Sequence, residues 1–79
     1  MNAIDLANTI ATTLAKGDAA PGGMVYSVID GILKVKLSLE DVDLRKLKEL
    51  DHRVFDAMDL HFNQGPLVVR VDMSKIKEA

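Results

Sequence analysis

Two histidines, His52 and His61, are the side chains whose ordinary pKa lies nearest neutrality, and they are the first candidates for proton transfer or metal binding. They are nine residues apart in a segment whose apolar spacing predicts a helix, so they would lie on opposite sides of it. Asp56 and Asp59 would share the face of His52 at the spacing of a weak metal site. Because that spacing is common on any charged helix, we expect a solvated face and no metal.

The remaining polar residues offer little support for catalysis. No serine lies in the sequence context of a nucleophile elbow, and the chain has no cysteine for thiolate, disulfide or Cys-type zinc chemistry. Gly17 and Gly22 have the separation of a phosphate-binding loop, but Gly23 and Met24 follow where that motif needs Lys and Ser or Thr. We expect no enzymatic activity, no cofactor and no small-molecule substrate.

Asp51 and His61 fall at the border of the apolar stripe of the predicted helix. A polar side chain on a packing face needs a hydrogen-bond partner or lies at an interface. One interpretation is that both border the core, where Asp51 meets a backbone N–H or a lysine such as Lys34 and His61 caps the end of the helix. The other is that they form a polar pair at an interface or that Asp51 is a buried acid.

The sequence favours binding of a partner over catalysis. Alternating strands would bring basic and apolar side chains together on the outer face of a sheet, where the apolar residues contact a partner and the basic ones set its orientation. The residues predicted to bind a partner are Val25, Ile29, Ile32, Lys34, Lys36, Val68 and Arg70.

A β-hairpin positions most of these residues. Asp30-Gly31 lies between two runs of alternating apolar residues, which predicts a type I′ turn. That turn would pair Ile29 with Ile32 and Val25 with Lys36. The face predicted to be buried then consists of Met24, Tyr26, Val28, Leu33, Val35 and Leu37.

Two helices and a third strand complete the prediction. Residues 3–16 have helical apolar spacing, with Asn2 as the N-cap and a stripe made of Ile4, Ala7, Ile10, Ala11 and Leu14. A long helix is predicted over residues 39–63, ending before Gly65-Pro66. Residues 67–73 alternate again and predict a strand.

The predicted fold class is α+β, with elements in the order α-β-β-α-β in a single small domain, residues 1–79. A small three-stranded, mostly antiparallel sheet of order 2-1-3 would carry both helices on one face. The order 1-2-3, with the third strand parallel to the second, is the alternative. We expect a flexible loop over residues 17–23 and a frayed tail over residues 74–79.

Composition limits the class of protein. With 79 residues, 48% hydrophobic content and a net charge of −2, the chain is neither a disordered nor a polybasic protein. Asp5 stands where a signal peptide needs basic residues, and no apolar run approaches the roughly 20 residues that span a bilayer. We expect a cytoplasmic protein without membrane contact.

Self-association and partner binding are the functional expectations. The predicted helix, about 37 Å long, would overhang strands of about 20 Å, and the sheet has open edges and an apolar outer face. We expect a homodimeric protein-interaction module, such as a viral or mobile-element adaptor, inhibitor or accessory protein. The alternative is a nucleic-acid-binding accessory protein that uses the basic outer face, although Tyr26, Phe55 and Phe62 are predicted to face the core.

Overall fold

The computed structural model describes residues 2–17, 24–62 and 64–76, which form two α-helices and four β-strands. In chain order these are α1 (Ala3–Leu14), β1 (Val25–Ile29), β2 (Ile32–Ser38), α2 (His52–Ala57), β3 (Met58–Phe62) and β4 (Pro66–Asp72). Short 3-10 helices occupy Leu39–Asp41, Leu44–Glu49 and Met73–Lys75. Most of the predicted flexible loop, residues 18–23, and the end of the predicted tail, residues 77–79, lie outside the described residues.

The predicted hairpin is confirmed in turn and register. Asp30 and Gly31 have φ of 54° and 78°, the positive values that both central residues of a type I′ turn require. β1 pairs antiparallel with β2 so that Ile29 lies opposite Ile32 and Val25 opposite Lys36. Local turn chemistry therefore determines this part of the sheet.

The sheet contains four antiparallel strands in the order β1-β2-β4-β3, so the predicted three strands and the order 2-1-3 are wrong. β4, the predicted third strand, lies beside β2 as in the alternative order 1-2-3, but it runs antiparallel to β2 and not parallel as that alternative predicts. β2 and β4 each have seven residues and pair along their whole length, whereas β1 has five. Pairing with β2 thus satisfies more backbone groups of β4 than pairing with β1 would.

The predicted long helix over residues 39–63 is also wrong. Two aspartates interrupt it, because the side chains of Asp43 and Asp51 accept hydrogen bonds from the backbone N–H groups of Arg45 and Arg53 and so start new turns. α2 keeps only six residues. The segment that follows it, Met58–Phe62, is β3, which pairs with β4.

One buried cluster joins the helices to the inner face of the sheet, the face turned toward them. From the sheet it contains Leu33, Val35, Leu37, Leu67, Val69 and Val71, all at most 1% exposed. α1 contributes Leu6, Ala7, Ile10, Ala11 and Leu14. The predicted stripe of α1 is therefore right except for Ile4, which is exposed. Leu6, which the predicted stripe did not include, is buried.

The edges of the inner face are less covered than predicted. Tyr26 and Val28 of β1 are 39% and 44% exposed, although both were predicted to be buried. Phe55 and Phe62 are 48% and 56% exposed, so none of the three aromatic side chains is buried in the core, although Tyr26 and Phe62 lie on the inner face as predicted. The helices are short and cover the middle of the sheet, which leaves both edge strands partly open.

The chain between β2 and α2 is fastened to the end of α1. The N–H of Asp43 donates to the carbonyl of Leu14 at 2.8 Å, and the N–H of Lys16 donates to the carbonyl of Asp41 at 3.0 Å. The Lys46 ammonium donates to the carbonyl of Ala15 at 2.6 Å. The first and third of these bonds satisfy the carbonyls of Leu14 and Ala15 at the end of α1, which would otherwise lack partners.

The start of the predicted frayed tail is folded. Residues 73–75 form a 3-10 helix, and the Asp72 carboxylate accepts hydrogen bonds from the N–H and hydroxyl groups of Ser74. Ile76 packs against the core as a partly buried residue. Across the described residues, no helix has the length and apolar character that crossing a membrane demands.

The turn can be tested by replacing Gly31 with valine. A β-branched side chain at a φ of 78° is strained, so we expect Gly31→Val to lower the free energy of unfolding by about 1–2 kcal/mol. The matched control is Gly17→Ala, where an added Cβ meets no atom within 4 Å, and we expect it to be neutral or slightly stabilising. Urea denaturation measures both, and a Gly31→Val protein as stable as the parent would contradict the turn assignment.

Candidate interaction surface

The outer face of the sheet, which points away from the helices, is organised in rows that run across the strands. The register aligns Val25, Lys36, Val68 and His61 in one row. It aligns Ser27, Lys34, Arg70 and Asp59 in the next row. A third row contains Ile29, Ile32 and Asp72. Side chains opposite each other in such rows lie about 5 Å apart at Cβ, so each row forms a continuous strip.

All seven residues predicted to bind a partner lie on this outer face. The structure brings Lys34, Lys36, Val68 and Arg70 together at its centre, on β2 and β4. Val25 lies beside Lys36 at the β1 edge. Ile29 and Ile32 lie next to the turn, at the far end of the β1–β2 hairpin. Whether these residues contact a partner stays a prediction.

A groove of about 460 Å³, open to solvent, lies in the middle of the outer face. Its lining is basic and apolar, and it consists of Val25, Tyr26, Ser27, Lys34, Lys36, His61, Val68 and Arg70. Five of the seven predicted binding residues belong to it, while Ile29 and Ile32 lie outside its lining. The groove therefore offers cationic donors beside an apolar rim.

Positive charges are crowded along the centre of the groove. Lys34 lies directly opposite Arg70, and Lys36 follows two residues later on the same face of β2. Like charges directly opposite each other in a sheet destabilise it. Among the described residues, Asp59 is the carboxylate that pairs with this cluster, through the Arg70 guanidinium at 2.8 Å.

The pair between Asp59 and Arg70 sets the electrostatics of one side of the groove. The hydrogen bond from the Arg70 guanidinium holds the pKa of the Asp59 carboxyl below its ordinary value, and the positive charge of Arg70 adds to this effect. Both side chains are about half exposed or more, so solvent weakens the attraction. Neither Lys34 nor Lys36 forms a salt bridge within the described ranges, so their charge is available to an anionic ligand.

Of the first interpretation given for Asp51 and His61, the structure shows the hydrogen bond from a backbone N–H to Asp51 but not the helix cap at His61. Asp51 is the N-cap of α2, where it accepts a hydrogen bond from the N–H of Arg53 and pairs with the guanidinium of Arg53 at 3.0 Å. The side-chain and backbone hydrogen bonds from Arg53 lower the pKa of Asp51 to about 2. The predicted helix cap at His61 is wrong, because His61 lies on β3.

His52, Asp56 and Asp59 do not share one face of a helix as predicted. α2 ends at Ala57, so Asp59 belongs to β3 and points to the outer face of the sheet, where it meets Arg70. In the part of the chain that the structure describes, no group of three or more His, Asp or Glu side chains could hold a metal ion.

Three residues of the groove lining, Tyr26, Ser27 and His61, are absent from the predicted binding residues. His61 and its neighbour Asp59 were assigned to a helix, yet Met58 to Phe62 alternate strictly between apolar and polar residues, which is the signal of a strand. Tyr26 was assigned to the core, yet it lies on an edge strand, is 39% exposed and belongs to the lining of the groove.

Replacing Arg70 with methionine tests the ion pair. We expect Arg70→Met to raise the pKa of Asp59 toward the ordinary value of about 3.9, as followed by NMR titration of its carboxyl. Because the pairing favours the charged carboxylate, its stabilising effect is present above the ordinary pKa and disappears as the pH falls through the lowered pKa. Lys34→Met, which removes a neighbouring cation that does not touch Asp59, is the control. An Asp59 pKa unchanged in Arg70→Met would refute the pairing.

Comparison of the chain with protein families, with curated proteins and with solved structures finds no match.

Proposed function

We propose that this chain is a cytoplasmic protein-interaction module that works as a homodimer and binds a partner protein through the outer face of its sheet. The observation that carries the proposal is the grouping of Lys34, Lys36 and Arg70 at the centre of the outer face, beside exposed apolar side chains. Arg70 pairs with Asp59, whereas neither lysine has a carboxylate partner among the described residues, so an anionic partner would find two free cations there.

The chemistry of the groove defines the partner. Lys34 and Lys36 would attract carboxylates, while Val25 and Val68 provide apolar contacts in the row beside them. A protein segment that carries acidic and apolar side chains in alternation matches both features when it lies extended across the rows. The role is recognition without a catalytic step, as expected of an adaptor, inhibitor or accessory protein.

Binding of single-stranded nucleic acid is the second candidate function. One observation favours it: Lys34, Lys36 and Arg70 lie side by side in the groove, whose lining also includes Tyr26, which is 39% exposed on an edge strand. Bases stack on exposed aromatic rings while cations neutralise the phosphates. A single aromatic residue provides a small stacking surface, so we rank this function below protein binding.

A charge-reversal experiment tests the proposed function. The probe is a fluorescent peptide of about ten residues in which valine and glutamate alternate, and its binding is followed by fluorescence anisotropy. We expect the double variant Lys34→Glu with Lys36→Glu to bind it at least about tenfold more weakly than the parent, because two attractive charges become repulsive. The variant should remain folded, since the carboxylate introduced at position 34 would lie opposite Arg70.

The control for this experiment is the double variant Lys16→Glu with Lys48→Glu. Both lysines are exposed and lie outside the sheet, so the net charge changes equally without altering the groove. Equal binding by the two double variants would contradict the outer face as the binding surface. Binding of a matched valine–lysine peptide as tight as that of the acidic peptide would contradict the proposed partner chemistry.

A salt titration separates the second function from the first. If Lys34, Lys36 and Arg70 all neutralise phosphates, the affinity for a short single-stranded oligonucleotide should fall about 20-fold between about 50 and about 200 mM salt. Tighter binding of the oligonucleotide than of the acidic peptide, with this salt dependence, would favour the nucleic-acid function. No salt-dependent binding of the oligonucleotide would end it.

A further inference from the structure

Among the described residues, β1 is an edge strand without the features that usually protect one. Its sequence, Val-Tyr-Ser-Val-Ile, contains no charge and no proline, and it lies at the end of the sheet. Val25 and Ile29 are 60% and 62% exposed on the outer face, and Tyr26 and Val28 are also exposed on the inner face. Natural edge strands are usually protected by charges, prolines, bulges or a covering element.

The opposite edge of the sheet differs from β1. β3 carries Asp59 and His61 among its five residues, both on the outer face. Polar and charged side chains on an edge oppose pairing with another strand. The two edges are therefore not equivalent, and β1 is the one suited to pairing.

The hairpin register shows which backbone groups of β1 are free to pair. In a two-residue hairpin the pair that flanks the turn, Ile29 with Ile32, exchanges hydrogen bonds, and every second pair along the ladder does the same. Ser27 and Val25 consequently direct their N–H and C=O groups toward β2. Tyr26 and Val28 direct theirs away from the sheet, toward the open edge.

We propose that a second copy of this chain pairs with the open edge, β1 against β1 in antiparallel orientation. Tyr26 then lies opposite Val28 of the partner subunit, and Ser27 lies opposite its own copy at the two-fold axis. The two Tyr26–Val28 pairs form about four backbone hydrogen bonds. The inference rests on the homodimer in the proposed function and identifies the interface that forms it.

Side-chain and charge complementarity support a second copy as the occupant. In this register Val25 faces Ile29 of the partner subunit on the outer face, and Tyr26 faces Val28 of the partner subunit on the inner face. Pairs of aromatic and β-branched side chains are favourable across strands. No charged residue lies on β1, so self-pairing brings no like charges into contact at the interface.

The basic residues of the two copies remain far enough apart to tolerate the pairing. Lys34 and Lys36 lie on β2, one strand in from the edge, so β2 of one copy is three strand spacings, about 14 Å, from β2 of the other. This distance exceeds the screening length of about 8 Å at physiological salt. The dimer would be a continuous sheet with its helices on one side and two basic grooves side by side on the other.

A single cysteine at position 27 tests the register. In the proposed dimer the two Ser27 residues form a non-hydrogen-bonded pair with Cα atoms about 4.5 Å apart, a distance that a disulfide can bridge. The chain contains no cysteine of its own, so Ser27→Cys introduces the only thiol. Val25→Cys is the matched control, because it lies on the same strand and face but about 14 Å from its own copy.

Under mild oxidation we expect Ser27→Cys to form a covalent dimer at least about tenfold faster than Val25→Cys, as seen on non-reducing gels, because the dimer holds the thiols together. Equal rates for the two variants in a protein that sediments as a dimer would overturn the inference and leave the homodimer with another interface. A parent chain that sediments at 8.6 kDa at all concentrations up to about 100 µM would overturn the inference together with the homodimer.

Val28→Pro supplies an independent test. Because the N–H of Val28 points to the open edge, proline removes a bond of the proposed interface and leaves the β1–β2 ladder intact. We expect sedimentation at 8.6 kDa for Val28→Pro and at twice that mass for Val28→Thr, which keeps the N–H. A Val28→Pro dimer would overturn the inference.

The two proposals fail separately. Lys34→Glu with Lys36→Glu should weaken binding of the acidic peptide and leave the sedimenting mass that of a dimer. Val28→Pro should lower the sedimenting mass to that of a monomer and leave the peptide affinity per chain within about twofold of the parent. If Val28→Pro is a dimer and binds the peptide normally, only the proposed edge interface is refuted. If Val28→Pro is a monomer and the parent chain does not bind the peptide, only the proposed outer-face function is refuted.

Discussion

The antiparallel pair of β2 and β4 is the interaction on which the rest of the structure depends. These strands match along seven residues each, and their inward side chains, among them Val35 and Val69, are fully buried. A helix such as α1 can bury its apolar stripe only against a surface of this kind. The outer strands add to this pair from either side, which explains why their own side chains are less covered.

The same alternation that builds the core also builds the candidate surface. Each residue that β2 and β4 bury inward forces its neighbours outward, and on these strands the neighbours include Lys34, Lys36 and Arg70. Their register brings the three cations together, while β3 contributes one carboxylate, Asp59. On this surface Arg70 pairs with Asp59, while Lys34 and Lys36 have no carboxylate partner among the described residues.

The segment between β2 and β4 shows where sequence reasoning reaches its limit. Leucines and phenylalanines at spacings of three and four predict a helix over residues 39–63, but Met58 to Phe62 also alternate with a period of two. Both patterns fit the same residues, and the free edge of β4 decides between them by offering hydrogen bonds to a strand. Asp43 and Asp51 break the helix locally because their side chains compete for backbone N–H groups.

By itself the sequence determined the features that depend on residues close together in the chain. These are the Asp30-Gly31 turn with its register and helix α1 with its Asn2 cap. The alternation that turns the seven predicted binding residues outward is also of this kind. Tertiary structure alone decided the strand order, the existence of β3 and therefore the meeting of Asp59 with Arg70. Turns and caps depend on bonds within a few residues, whereas strand neighbours depend on which pairing satisfies the most backbone groups across the whole sheet.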